Sequence, residues 1–233
     1  MMSFTPARYH LTTLRTSVAY DVAMRLPMLV WSVGLGFALV LELQHYSRAT
    51  IPETPRPIYL LNIAMRLSMI AYLVILAATV ASRTRPLHRA RGAEPRITAL
   101  LGSFLITAVV LFPRRELSAA LGCISTLLVL AGDLIATVVL IQLRGSFSIM
   151  AEARQLATSG AYRIIRHPLY LAEEVATIGG VIQFLSIWTC MLLLVQIACQ
   201  IRRMSNEERV LMDVFPEYTR YKGTTSRIIP GIY

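Results

Sequence analysis

The sequence predicts an all-α protein: a polytopic transmembrane bundle of about five to six membrane helices, the last two a short hairpin, in one integral membrane domain over residues 1–233. Three observations carry that reading. Apolar residues make up 55% of the chain, charged residues only 15%, and mean hydropathy is +0.58, far from the balance of a soluble domain. The apolar residues come in blocks long enough to cross a bilayer core, which takes about 20 residues of helix. No Gly/Ser/Pro-rich linker separates two globular parts.

Pro27–Leu43 is the first predicted span. Pro27 sits early in the helix, where its missing N–H is harmless, and Glu42 lies near the far end. Gln44–Pro57 carries three prolines and is expected to stay out of helix. Ile58–Ala81 is the second span, with Arg66 near its middle, and Ser82–Arg96 is the most basic loop. Ile97–Phe112 is a short third span, Pro113–Glu116 a turn, and Leu117–Ile141 a fourth span containing Asp133. Leu169–Ile201 then stays apolar. As one straight helix it would run to about 50 Å, against a core of about 30 Å. Two short helices turning near Gln183–Ser186 are expected instead. Asn206–Tyr221 reads as a surface helix with an apolar edge at Val210, Leu211, Val214, Phe215 and Tyr218.

A net charge of +10 would suggest nucleic acid in a soluble protein. Here the basic residues lie between apolar blocks, where they set topology and meet anionic lipid head groups; no nucleic-acid partner is expected. With the N-terminus inside, 18 Lys/Arg fall inside and four (Arg48, Arg56, Arg114, Arg115) outside, with Arg66 in the membrane. That asymmetry follows the positive-inside rule. Met1–Arg25 shows no secretory signal and is expected to lead into the first span from the cytoplasm. An Arg:Lys ratio of 22 to 1 points weakly to a bacterial inner membrane. Cys123, Cys190 and Cys199 lie in apolar blocks without a Cys-x-x-Cys or Cys/His pairing, so they read as small buried residues; no metal is expected. Intramembrane charges face the protein interior, so Arg66 and Asp133 are expected to pair, with Asn62 one turn away.

Two polar stretches flank the last apolar block. In Leu156–Tyr170, Gly160 and Pro168 interrupt helix, and Arg163, Arg166 and His167 sit beside Tyr162 and Tyr170. In Arg203–Glu208, carboxylates follow arginines in what reads as an acidic turn. A hairpin between them brings the stretches together at the cytoplasmic face, a setting for a ligand both charged and aromatic. Glu173 and Glu174, a turn beyond Tyr170, are expected to line the site mouth, with Glu173 on the substrate side.

The run from Gln155 through Tyr162, Arg166, His167 and Pro168 to Tyr170 resembles the signature of the isoprenylcysteine carboxyl methyltransferase family, roughly LvTsGpYrxvRHPxYxG. The family's second motif, EExxLxxxFgxeYxxY, is matched by Glu207, Glu208, Leu211, Phe215, Glu217, Tyr218 and Tyr221. The resemblance covers about residues 144 to 230 and departs at Ala161 (for proline) and Ala172 (for glycine). It makes 144–233 the catalytic region and 1–143 the N-terminal transmembrane helices.

This resemblance implies a membrane-embedded, S-adenosylmethionine-dependent methyltransferase without a Rossmann domain. In keeping with that, no strand-then-GxGxxG pattern occurs. By position, Gln155, Leu156, Ala157, Tyr162, His167, Pro168, Leu169 and Tyr170 would contact the cofactor, and Glu207 would hold its polar groups. Arg203 would bind and aim the carboxylate of a lipophilic, prenylcysteine-like substrate entering from the bilayer. Helical spacing puts Arg203 and Glu207 on one face. Three other readings stay open: a lipid-amine N-methyltransferase, an NADPH-dependent sterol reductase-like protein, and a non-enzymatic membrane scaffold or transporter.

Overall fold

The computed structural model describes residues 22–49 and 55–231. The expected basic lead with Arg8 and Arg15, and Pro52 of the first loop, lie outside the described residues. The described chain forms seven helices: α1 Leu26–Ala49, α2 Arg56–Ser82, α3 Glu94–Phe104, α4 Ala119–Leu143, α5 Pro168–Ile182, α6 Ile187–Val214 and α7 Tyr218–Thr224. A 3₁₀ segment, Leu105–Leu111, prolongs α3 through a β-branched run. Five of these helical stretches are long and apolar enough to cross a membrane: α1, α2, α3 with its extension, α4 and α6. The chain is a multi-pass membrane protein.

Several boundaries differ from expectation. α1 continues through Gln44–Ala49 because nothing in that run breaks helix. Pro55 caps α2, and Pro57 sits in its first turn, where proline is tolerated. Pro95 similarly opens α3, so Arg96 belongs to a helix rather than to the basic loop. The hairpin turns where expected, at Gln183–Ser186, and Ser186 closes a capping box with Thr189. Its arms are unequal, however. α5 has 15 residues and α6 has 28, about 42 Å of helix, so α6 outruns the bilayer core. The stretch Arg203–Glu208 is therefore continuous helix and not a turn. The surface helix expected over Asn206–Tyr221 is also corrected. Its first half is the end of α6, Pro216 interrupts it, and α7 follows separately.

One small sheet was missed. β1 (His88–Arg89) pairs antiparallel with β2 (Glu152–Ala153), His88 opposite Ala153 and Arg89 opposite Glu152. The buried Glu152 carboxylate joins Arg89 Nε at 2.8 Å and Arg154 at 2.6 Å. This straps the loop after α2 to the loop after α4, at the same end of the bundle as the N-terminus of α5.

The expected Arg66–Asp133 pair does not form. Arg66 instead reaches Glu42 of α1 at 3.1 Å, its guanidinium lies 4.2 Å from the centre of the Tyr46 ring, and it donates to Asn62 O. The packing of α1 on α2 sets Glu42 beside Arg66, and the lengthening of α1 past Leu43 adds the Tyr46 ring. Asp133 is left facing the bundle interior.

The tightest packing joins α4 to α5. A Cβ on Gly132 would lie 2.5 Å from Ala176 N and 2.7 Å from Ala172 O, and one on Gly179 would meet Val129 N at 2.8 Å. Ser125 Oγ donates to Gly179 O at 2.7 Å across the same seam. Small residues let backbones approach where lipid offers no hydrophobic drive. Gly132→Leu should separate these helices and cost about 1–3 kcal/mol or more by overpacking. Thermal unfolding in detergent checks this; an unchanged Tm would show that the seam yields easily.

Candidate active site

The site forms where α4 ends and α5 begins, over the last turns of α6. The α4 C-terminus runs into a 3₁₀ turn, Arg144–Ser146, and an extended loop reaches Gly160. Gly160 adopts φ +61°, which turns the chain so that Ala161 N donates to Gln142 Oε1 at 3.1 Å. Pro168 then starts α5 in its first turn.

One cavity opens here. Gln155, Leu156, Ala157, Tyr162, His167, Leu169, Tyr170, Glu173, Arg203 and Glu207 all line it. Of the residues predicted from sequence, Pro168 and Glu174 do not: Pro168 shapes the helix start, and Glu174 turns to α6, where it accepts from Gln196 Nε2 at 2.7 Å. The remaining wall comes from Leu143, Met150, Glu152, Leu211 and their neighbours. Leu143, Met150 and Glu152 carry no spacing signal of their own and could not be found from the motifs, whereas Leu211, like Tyr218 and Tyr221 in the same wall, is a position of the second motif.

Arg203 and Glu207 occupy successive turns of α6. Arg203 Nε lies 3.5 Å from Glu207 Oε1, its guanidinium lies 4.8 Å from the Tyr170 ring centre, and the Tyr170 hydroxyl donates to Glu207. Arg203 is also held by Ser103 Oγ of α3 at 3.0 Å, and more loosely by Gln200 Oε1 and Ser148 O at 3.4 Å. Glu173 accepts from the Tyr72 hydroxyl of α2 at 2.7 Å. Tyr72 and Ser103 come from the N-terminal helices, outside the motifs, and no sequence signal marked them.

Behind the cavity, Glu208 anchors a cationic cluster. Arg166 and His167 Nε2 lie at 3.1 Å from it, and Arg227 and Lys222 at 3.2 Å. Arg166 also donates to Lys222 O and Thr225 O, while its backbone N and that of His167 donate to Ser226 O and Arg227 O. Arg166 therefore ties the C-terminal strand to the site loop. The Tyr221 hydroxyl adds a bond to Tyr162 O. Burial holds both phenols neutral, pushing Tyr221 up to about 12 and Tyr162 well above its usual value.

Burial also lowers the His167 pKa below 6.5, against the opposing pull of Glu208, with Arg227 and Arg166 adding to the lowering. The neutral ring then donates Nε2–H to Glu208. Below pH 6.5 the unfolded chain takes up a proton that the folded chain resists, so stability should fall as pH drops through that range. His167→Asn should flatten the slope of Tm against pH between 7 and 5. An unaltered slope would assign it to other groups.

Among curated proteins, none matches the chain. Residues 124–213, from α4 through the site loop and nearly all of the hairpin, match the isoprenylcysteine carboxyl methyltransferase (ICMT) family. Both the cavity's motif residues and Arg203 and Glu207 fall in that stretch, so residues 124–213 of this membrane protein, the part that builds most of the cavity, are what matches the ICMT family.

Proposed function

We propose that this chain is an S-adenosylmethionine-dependent carboxyl O-methyltransferase acting on a lipophilic, prenylcysteine-like acid drawn from the bilayer. The observation that carries the reading is the position of Arg203. It lines the polar cavity with Gln155, Tyr162 and Glu207, and also a second, largely apolar cavity of about 240 Å³ between the membrane helices. A cation at the junction suits an acceptor whose carboxylate points one way and whose chain points the other.

The polar cavity fits the cofactor by its donor set. Glu207 and Gln155 offer acceptors to ammonium and hydroxyl groups, Leu143, Leu169 and Leu211 offer apolar surface to a purine, and aromatic faces flank a sulfonium charge. S-adenosylmethionine held by Gln155, Tyr162 and Glu207 would supply an electrophilic methyl group, which a carboxylate oxygen would take up as its ester while the electron pair of the carbon–sulfur bond stayed with sulfur. Arg203 fixes the acceptor by charge-assisted hydrogen bonds. A carboxylate is already the nucleophile, so no general base is required. The His167 ring, bonded to Glu208, orients the loop. Positioning and exclusion of water supply the acceleration. The excess of arginines at this end of the bundle supports a cytoplasmic site.

Calorimetry with S-adenosylmethionine on detergent-purified protein tests the cofactor. Wild type should bind, and Glu207→Ala should bind at least about tenfold more weakly, as expected when a charge-assisted bond worth about 1.5–3 kcal/mol is lost. If neither binds, even with a lipid carboxylate present, the reading fails. Base treatment of methylated product separates acceptors, because a methyl ester releases methanol and a methylamine does not.

A further inference from the structure

The apolar cavity has a polar wall that the proposed reaction does not use. It lies among α1 to α6, and most of its lining is aliphatic and aromatic. Asp133 of α4 faces it while only 7% exposed, and its Oδ2 has no hydrogen-bond partner among the described residues. Gln196 of α6 also lines it, is 2% exposed, and leaves its Oε1 unmet. That amide cannot be flipped to hide the oxygen. Its nitrogen is already placed by Glu174 Oε1 at 2.7 Å and Gly102 O at 3.3 Å, both acceptors.

Neighbouring donors are spent elsewhere. Ser68 Oγ is within hydrogen-bonding reach of the Asp133 carboxylate but is shared with Met65 O at 2.7 Å, and the Tyr72 hydroxyl is held by Glu173, so neither meets Oδ2. Two further wall atoms, Arg203 Nε and Trp31 Nε1, are unmet donors. The cavity thus presents both unmet acceptors and unmet donors, with an anion at Asp133 and a cation at Arg203. A buried carboxylate in a membrane interior with one oxygen unmet and no counter-cation is costly and calls for a partner. A simple fatty acid would leave it without one, and would bring a further negative charge near Asp133 and Glu173.

We propose that the methyl acceptor is zwitterionic: a lipophilic amino acid whose free ammonium group is taken up by Asp133 and Gln196 while Arg203 holds its carboxylate. The proposal rests on the carboxyl methyltransferase reading and narrows its substrate class. An ammonium brings the donors that two acceptors lack and cancels the charge of Asp133. A neutral amide nitrogen, as at the C-terminal residue of a polypeptide, brings one donor and no charge. Asp133 is then the residue that selects a free amino acid lipid over a lipidated chain end.

The test compares three acceptors sharing one farnesyl thioether chain: the cysteine derivative with a free amino group, its N-acetyl counterpart, and the acid lacking the nitrogen. Transfer of radiolabelled methyl from S-adenosylmethionine into base-labile ester is measured for wild type and Asp133→Asn. Wild type should favour the free amino acid at least tenfold in kcat/KM over both others, and Asp133→Asn should bring all three within about threefold of one another. The wild-type comparison stands alone should the variant fold poorly. Equal rates for all three in wild type, or a preference that survives Asp133→Asn, overturn the ammonium assignment and leave the carboxyl reading intact. Ester formation on none of them overturns both.

Discussion

Arg203→Ala should lower kcat/KM for a lipid carboxylate by about 30-fold to about 5,000-fold, while S-adenosylmethionine affinity changes far less. The estimate follows from the cost of unpairing a buried, hydrogen-bonded charge, about 2–5 kcal/mol, at 1.36 kcal/mol per tenfold in rate. Arg203 is 4% exposed, so water cannot replace it. Its Nε has no hydrogen bond, and two of its three hydrogen bonds are long, at 3.4 Å. The side chain is therefore placed by Ser103 and Tyr170 yet keeps capacity for an incoming carboxylate. Arg203→Lys retains charge without the fork and should fall between, losing about 10–10²-fold, since roughly half of a bidentate contact remains. Methylguanidine added to the alanine variant should restore part of the rate. Methylation by Arg203→Ala at wild-type efficiency would remove Arg203 from acceptor binding and with it the basis of the proposed reaction.

Much of this is legible in the sequence alone. The spans follow from apolar block length, and the hairpin from a run too long for one crossing. The contacts around Arg203 and Glu207 follow from an i, i+4 spacing that is helical in any context. What failed shares one cause: pairing between helices depends on rotation and depth, which block length does not encode. Arg66 and Asp133 looked like partners because both are charged and mid-span. Only the rotation and depth of α1, which set Glu42 beside Arg66, and its extra turns, which carry Tyr46, decide that Arg66 belongs elsewhere. Tyr72 and Ser103 were silent for the same reason. The β1–β2 strap is two residues per strand, below any periodicity that a sequence can display.

Because α6 runs unbroken past Glu207, it carries Glu208 into the space between the site loop and the returning C-terminal strand. Glu208 was legible as half of a motif, but its partners were not, because Lys222 and Arg227 come from beyond α7.

Glu208→Ala should be the most destabilising single change at this end of the molecule, by about 3–5 kcal/mol, the range for breaking a buried ion network from one side. The side chain is 4% exposed, and Arg166 and Arg227 beside it are 10% and 11% exposed, so removing the carboxylate leaves two desolvated cations facing each other. Lys222, 39% exposed, is screened by water and adds little. A loss of this size should lower Tm by on the order of 10 °C. Glu208→Gln keeps shape and some hydrogen bonding, yet should fall nearly as far, because charge is what the cluster lacks. The damage should be local first. Amides of residues 222–231, which include the strand bonded to Arg166 N and His167 N, should lose exchange protection before α4 and α5 do. His167 would lose the one partner that offsets its burial, and Tyr162 and Tyr221 the frame that holds them against the cavity. Cofactor affinity should therefore weaken although Glu208 itself does not line that cavity. Unchanged Tm together with unchanged exchange at 222–231 would mean that the C-terminal strand is held by its backbone bonds alone.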